Sequence, residues 1–167
     1  MWKELSSAFE KYPARLSVAV KMIELGLRVG DDGKIYCGDL KINDASLAKV
    51  AEVDRRAIKS TIKSILKDEK LSNIFKNIIP AGTLLKNIAQ NIGLGVLEIE
   101  VNHKNYGILT EVSKLIYSKK INIRQAYAND THMNENPVLT IITESPIPGE
   151  LLKEFLKIEG VTRVSIY

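Results

Sequence analysis

The densest chemistry in the sequence is cationic. Arg55, Lys59, Lys63 and Lys67 recur four residues apart. On a helix they form one stripe, while Ile58, Ile62, Ile65 and Leu66 fall on the face that must be buried. Arg56, Ser60 and Ser64 lie beside the stripe, and short hydroxyls next to cations suit a surface pressed against phosphates and base edges. Residues near a helix N-terminus commonly reach the bases. Arg55 and Arg56 are therefore the candidate readers, Lys59, Lys63 and Lys67 the candidate phosphate contacts, and Ser60 part of the same DNA-binding surface. The same spacing also describes an ordinary solvated helix face. A second cluster is the loop Asn102-His103-Lys104-Asn105-Tyr106-Gly107 ahead of Ile108. A helix start exposes unpaired N–H groups at the positive end of its dipole, and a glycine there lets a carboxylate approach the chain closely. The expected ligand is a free amino acid, held by Asn102, His103, Asn105, Tyr106, Gly107 and Ile108.

Other reactive side chains form no recognisable site. Cys37 has no second cysteine to pair with, and together with His103 and His132 it offers no zinc or haem spacing. It reads as a small packed side chain without a neighbouring base. His132 reads as a solvated loop residue, and Asp130 and Glu135 share that loop without a second carboxylate pair for acid/base work. No phosphate-cradling glycine motif is present. The expectation is no catalytic residue, no metal, no cofactor and no enzyme activity.

These clusters sit in a chain of 167 residues, 45% hydrophobic and 26% charged, the composition of a soluble folded protein. Its net charge is +4, too small to name a partner. Up to Gly93 there are 16 basic against 11 acidic residues, and beyond it 8 against 9, so the basicity lies in the amino-terminal half. A single cysteine fits a reducing compartment. Glu4 and Glu10 interrupt the start, and no window approaches the roughly 20 apolar residues that span a bilayer. A cytoplasmic protein, neither exported nor transmembrane, is expected.

The elements that must position the two clusters differ in period. Leu16, Val20, Ile23 and Leu27 predict a helix over 14–28, before the Gly30-Asp31-Asp32-Gly33 turn. Residues 34–42, KIYCGDLKI, predict a small hairpin about Gly38-Asp39. Asp44 offers a cap to a helix through Ala51 and Asp54 a cap to one over 55–67, a helix-turn-helix candidate. Further helices are expected over 71–79 and, capped by Thr83, over 83–91. Past the Gly93-Leu94-Gly95 hinge, strands over 96–101, 121–128, 138–143 and 161–167 enclose helices over 107–118 and from Pro148 to Leu156. The expected class is α+β, with a mostly helical domain over 1–93 and a ferredoxin-like βαββαβ domain over 94–167.

Three resemblances bear on function. Residues 47–58, LAKVAEVDRRAI, resemble the helix-turn-helix family pattern at Leu47, Ala48, Ala51, Val53, Asp54 and Ile58; Glu52 stands where that family commonly has glycine, and no β-wing follows. The strand, polar loop, Gly-Ile-Leu helix start and βαββαβ order of the second half look like the ACT domain, a module that pairs side by side and binds amino acids at the shared interface. Asn102 and Gly107 match its loop, with Tyr106 where proline is usual. Nearly the whole chain is similar to a group of archaeal proteins described as predicted regulators of amino acid metabolism. VDRRAIKSTIKSIL at 53–66, PAGTLLKNIA at 80–89, IRQAYAND at 123–130 and PIPGELLKEFLKIEGVTRVSIY at the end carry that similarity. The resemblance implies an amino-acid-responsive DNA-binding regulator acting as a homodimer or higher homo-oligomer through the ACT-like half. The competing expectation is an ACT-type sensing or pairing module that regulates an enzyme partner without binding DNA.

Overall fold

The computed structural model describes residues 2–102, 105–130, 134 and 136–167, with the backbone alone at residues 2–4. Among these residues the chain is α+β, with seven α-helices and two antiparallel sheets divided between two units, Met1–Gly82 and Thr83–Tyr167. No helix among them is long and apolar enough to cross a membrane.

The first unit opens with α1 (Trp2–Phe9) and α2 (Pro13–Glu24). Pro13 stands in the first turn of α2, where its missing N–H removes no helix bond. The apolar spacing runs on to Leu27, but the helix stops at Glu24. Gly26, at φ +65°, turns the chain left-handed, so that Leu27 N–H donates to the Met22 carbonyl at 2.8 Å and Gly26 N–H to that of Ile23 at 3.1 Å. A side chain at Gly26 would also stand 2.8 Å from the Pro80 backbone. The chain then enters β1 (Arg28–Val29), which pairs with β2 (Ile35–Cys37); β2 in turn forms the expected hairpin with β3 (Leu40–Ile42). Cys37 is half-buried against the core.

Three capped helices follow. α3 (Asp44–Val50) is capped one residue earlier than expected: the Asn43 side chain accepts from Ala45 N–H at 2.9 Å, which places Asp44 inside the first turn. α4 (Arg55–Lys67) is capped by Asp54, whose carboxylate accepts from Arg56 N–H at 2.7 Å. Asp68 caps α5 (Glu69–Lys76), so this helix starts and ends earlier than the 71–79 expected for it. Ile58 and Ile65 of α4, both 0% exposed, share one core with Val18, Met22, Leu47 and Phe75. Burial of each such side chain contributes about 1.5–3 kcal/mol.

Between α3 and α4 the chain repeats the ending of α2. Val53 N–H donates to the Ala48 carbonyl at 3.0 Å and Glu52 N–H to that of Lys49 at 3.3 Å, with Glu52 at φ +54°. The left-handed residue here carries a side chain, which costs roughly 1–2 kcal/mol relative to glycine's freedom. Glu52→Gly is therefore expected to stabilise the protein by about 1 kcal/mol, read as a raised denaturant midpoint with an unchanged m-value.

The second unit runs β4 (Gly95–Val101), α6 (Ile108–Ser118), β5 (Ile123–Ala128), β6 (Val138–Thr143), α7 (Leu151–Phe155) and β7 (Val161–Ile166). Its strands lie in the order β5-β6-β4-β7, antiparallel throughout. The VLEIEV alternation sorts as its period demands. Leu97 and Ile99 join Ile116, Leu139 and Phe155 beneath the helices, whereas Val96 and Ile142 form a smaller cluster with Ala89 and Leu94. Glu98 is ion-paired with Lys86 at 2.7 Å and Glu100 with Arg163 at 2.5 Å. α7 begins at Leu151 instead of Pro148, because the Pro148 carbonyl accepts from Leu151 N–H in a preceding turn.

The helix expected over 83–91 does not form. Two short 3₁₀ turns, Leu85–Asn87 and Gln90–Ile92, replace it. The Gln125 side chain accepts from Leu85 N–H at 3.0 Å and donates to the Thr83 carbonyl at 2.8 Å, fastening the segment to β5, while Ala89 is fully buried beside Val96 and Ile142. Residues 83–93 thus pack with the second unit, ahead of the boundary that the change of texture marks at Gly93.

Candidate nucleic-acid interface

α4 is 13 residues long, about 20 Å at 1.5 Å per residue. Arg55, Arg56, Lys59, Lys63 and Lys67 are exposed, and among the described residues none of them forms an ion pair. The hydroxyls beside them divide. Ser60 is half-buried and donates to the Ala57 carbonyl at 3.0 Å, which leaves its oxygen able to accept at the edge of the stripe. Ser64 donates to the Ser60 carbonyl and accepts from the Arg15 guanidinium at 3.0 Å, tying α4 to α2. Thr61 is buried and bonds the Ala57 carbonyl at 2.7 Å. Leu66, expected on the buried face, is 37% exposed and lines a groove between the lysines.

The start of α4 runs against its own dipole. The positive end of a helix favours acidic residues in the first turn, and α4 has none there; Arg55 and Arg56 occupy its first two positions. The Asp54 carboxylate at the cap partly offsets them.

Two shallow hollows separate α4 from the β2–β3 hairpin. One, of about 390 Å³, is lined by Lys34, Asp44, Lys59, Lys63, Leu66 and Lys67 among others. The other, of about 340 Å³, is lined by Lys34, Lys41, Ile42, Asn43, Asp44 and Arg55. Lys34 and Lys41 carry no periodic signal in the sequence; the register that sets Tyr36 opposite Lys41 and the packing of the hairpin beside α4 bring them to the stripe. Asp32 lies close to both. Desolvation alone would raise its carboxyl, but the Lys34 amide, the Tyr36 hydroxyl at 2.9 Å and the charges of Lys41 and Lys34 hold it below the usual carboxylate range.

In the second unit, the expected ligand loop leads into α6 through Gly107 at φ +78°, and among the described residues no side chain caps the helix. Asn102 N–H donates to the Gly160 carbonyl at 2.7 Å, and the Asn105 amide donates to the Glu159 carboxylate at 3.3 Å, tying these two residues to the α7–β7 turn. Tyr106 is 99% exposed, while the Ile108 side chain is turned into the core and offers only its backbone outward. His103, His132 and Glu135 lie outside the described residues. A separate hollow of about 290 Å³ is lined by Lys86, Asn87, Gln90, Asn91, Val96 and Tyr167.

No family model and no curated protein matches the chain.

Proposed function

We propose that the chain is an amino-acid-responsive, DNA-binding transcriptional regulator of amino acid metabolism, with a helix-turn-helix unit and an ACT-like unit. The observation that carries this reading is the first turn of α4. Helix stability selects acids at that position, yet two exposed arginines stand there at the head of a lysine stripe. Local rules are broken most often where function needs it. The Ala51–Asp54 turn, with Glu52 in the left-handed conformation that glycine supplies in the helix-turn-helix pattern, supports the same reading. In the second unit, the βαββαβ order and the β5-β6-β4-β7 sheet support an ACT-like, ferredoxin-like assignment. Its exposed edge strand β5 suits pairing with a second copy. The start of α6, capped by no described side chain, suits a carboxylate.

The test is fluorescence anisotropy of the protein on labelled genomic duplexes across a salt series, with and without each of the amino acids. Binding whose logarithm falls linearly with the logarithm of salt is expected, and Lys59→Ala with Lys63→Ala should flatten the slope by about 2. A slope unchanged in that double variant would sink the assignment of α4. The second reading is an ACT-type sensing or pairing module that regulates an enzyme partner without binding DNA, for which the ferredoxin-like order of the second unit serves equally well. It predicts no salt-sensitive retention of any duplex.

A further inference from the structure

We infer that the β2–β3 hairpin is the second half of the grip on duplex DNA, with Lys34 and Lys41 contacting phosphates beside α4. This rests on the reading of α4 as the DNA-binding helix. The two hollows between hairpin and helix present six cations, Lys34, Lys41, Arg55, Lys59, Lys63 and Lys67, against one acid, Asp44. Lys34 and Lys41 are exposed, and neither forms an ion pair among the described residues. The nearby Asp32 already accepts from the Lys34 amide and the Tyr36 hydroxyl.

The geometry matches a duplex. A helix laid in a major groove about 12 Å wide leaves a phosphate backbone on either side of it, so an element alongside the helix meets phosphates before it meets bases. The hairpin is such an element: Lys34, at the foot of β2, lines both hollows along α4, and Lys41 and Ile42 of β3 line the second. The remaining lining, Gly33, Ile42, Asn43, Ile62 and Leu66, carries no aromatic ring. Single-stranded nucleic acid is held by aromatic rings that stack on its bases; lysines around an aliphatic floor suit the regular backbone of a duplex. Division of labour follows: the hairpin supplies affinity at any sequence, and the first turn of α4 supplies preference among sequences.

The experiment compares Lys34→Ala/Lys41→Ala with Lys59→Ala/Lys63→Ala and the unaltered protein. Each is titrated by anisotropy onto a random-sequence duplex and onto one of its single strands, between about 50 and 200 mM salt. Circular dichroism melting confirms that each variant is folded. Loss of two phosphate contacts should lower the duplex salt slope of the hairpin variant by about 2, with its ranking of duplex sequences unchanged. If the hairpin variant keeps the full slope while the α4 variant loses about 2, the hairpin is not a contact and the α4 reading stands. If the unaltered protein binds no duplex, both fall. If the hairpin substitutions weaken only the single strand, the duplex assignment is overturned.

Discussion

Exchanging Arg55 and Arg56 together for glutamate is expected to make the protein slightly more stable and to remove the DNA binding proposed for it. The two effects have opposite signs because the two residues answer to different demands. As members of a first helical turn they face the positive end of the α4 dipole, with the Asp54 cap partly offsetting them. Glutamates at such positions are each worth about 0.3–1 kcal/mol at low ionic strength. As members of an interface, each arginine that reaches a base is worth about 1–3 kcal/mol, so losing both weakens binding to a preferred duplex at least roughly 30-fold, before the repulsion of new acids is counted. Denaturant melts and duplex titrations of the same variant read the two quantities side by side. A variant that binds as tightly as the parent would show that the arginines are only a solvated helix end.

The other large effect lies on the opposite side of the same helix. Ile65→Ala should cost about 2–5 kcal/mol, since Ile65 is 0% exposed in the core with Val18, Met22 and Phe75, and the truncation leaves a cavity its neighbours only partly fill. In a unit of this size that lowers the unfolding midpoint by at least about 8 °C. Lys63→Ala, two residues earlier on the exposed face, should stay within about 0.5 kcal/mol. The pair separates packing from recognition: Ile65→Ala should lose DNA binding only as the protein unfolds, while Lys63→Ala should lose affinity at full stability. A large loss of stability in Lys63→Ala would mean that the stripe is structural.

What could be read from the sequence is what contiguous residues settle among themselves. The period of α4, its cap at Asp54, its buried isoleucines and its cationic stripe all lie within fourteen positions, and a helix is built from bonds four residues long. The β-α-β-β-α-β order of the second half was legible for the same reason, because each strand declares its face by local alternation, as VLEIEV does. Even the turn at Glu52 could be located, though not its left-handed backbone. The helix expected over 14–28 runs too far because the apolar spacing continues to Leu27, while the left-handed backbone of Gly26 ends α2 at Glu24.

Tertiary structure alone decided the rest. Residues 83–91 have helical spacing, yet Gln125, 40 positions from Leu85, takes the backbone bonds of that segment, and burial of Ala89 beside Val96 and Ile142 assigns it to the second unit. Lys34 and Lys41 reach the flank of α4 only through the register of a hairpin and the packing of that hairpin on the core. Asn105 meets Glu159 across a distance of 54 residues. Local periodicity carries no information about such pairs, since their energies arise from groups the chain must first bring together. For this protein the cationic face of α4 was determined by its own residues, and its charged surroundings were determined by the fold.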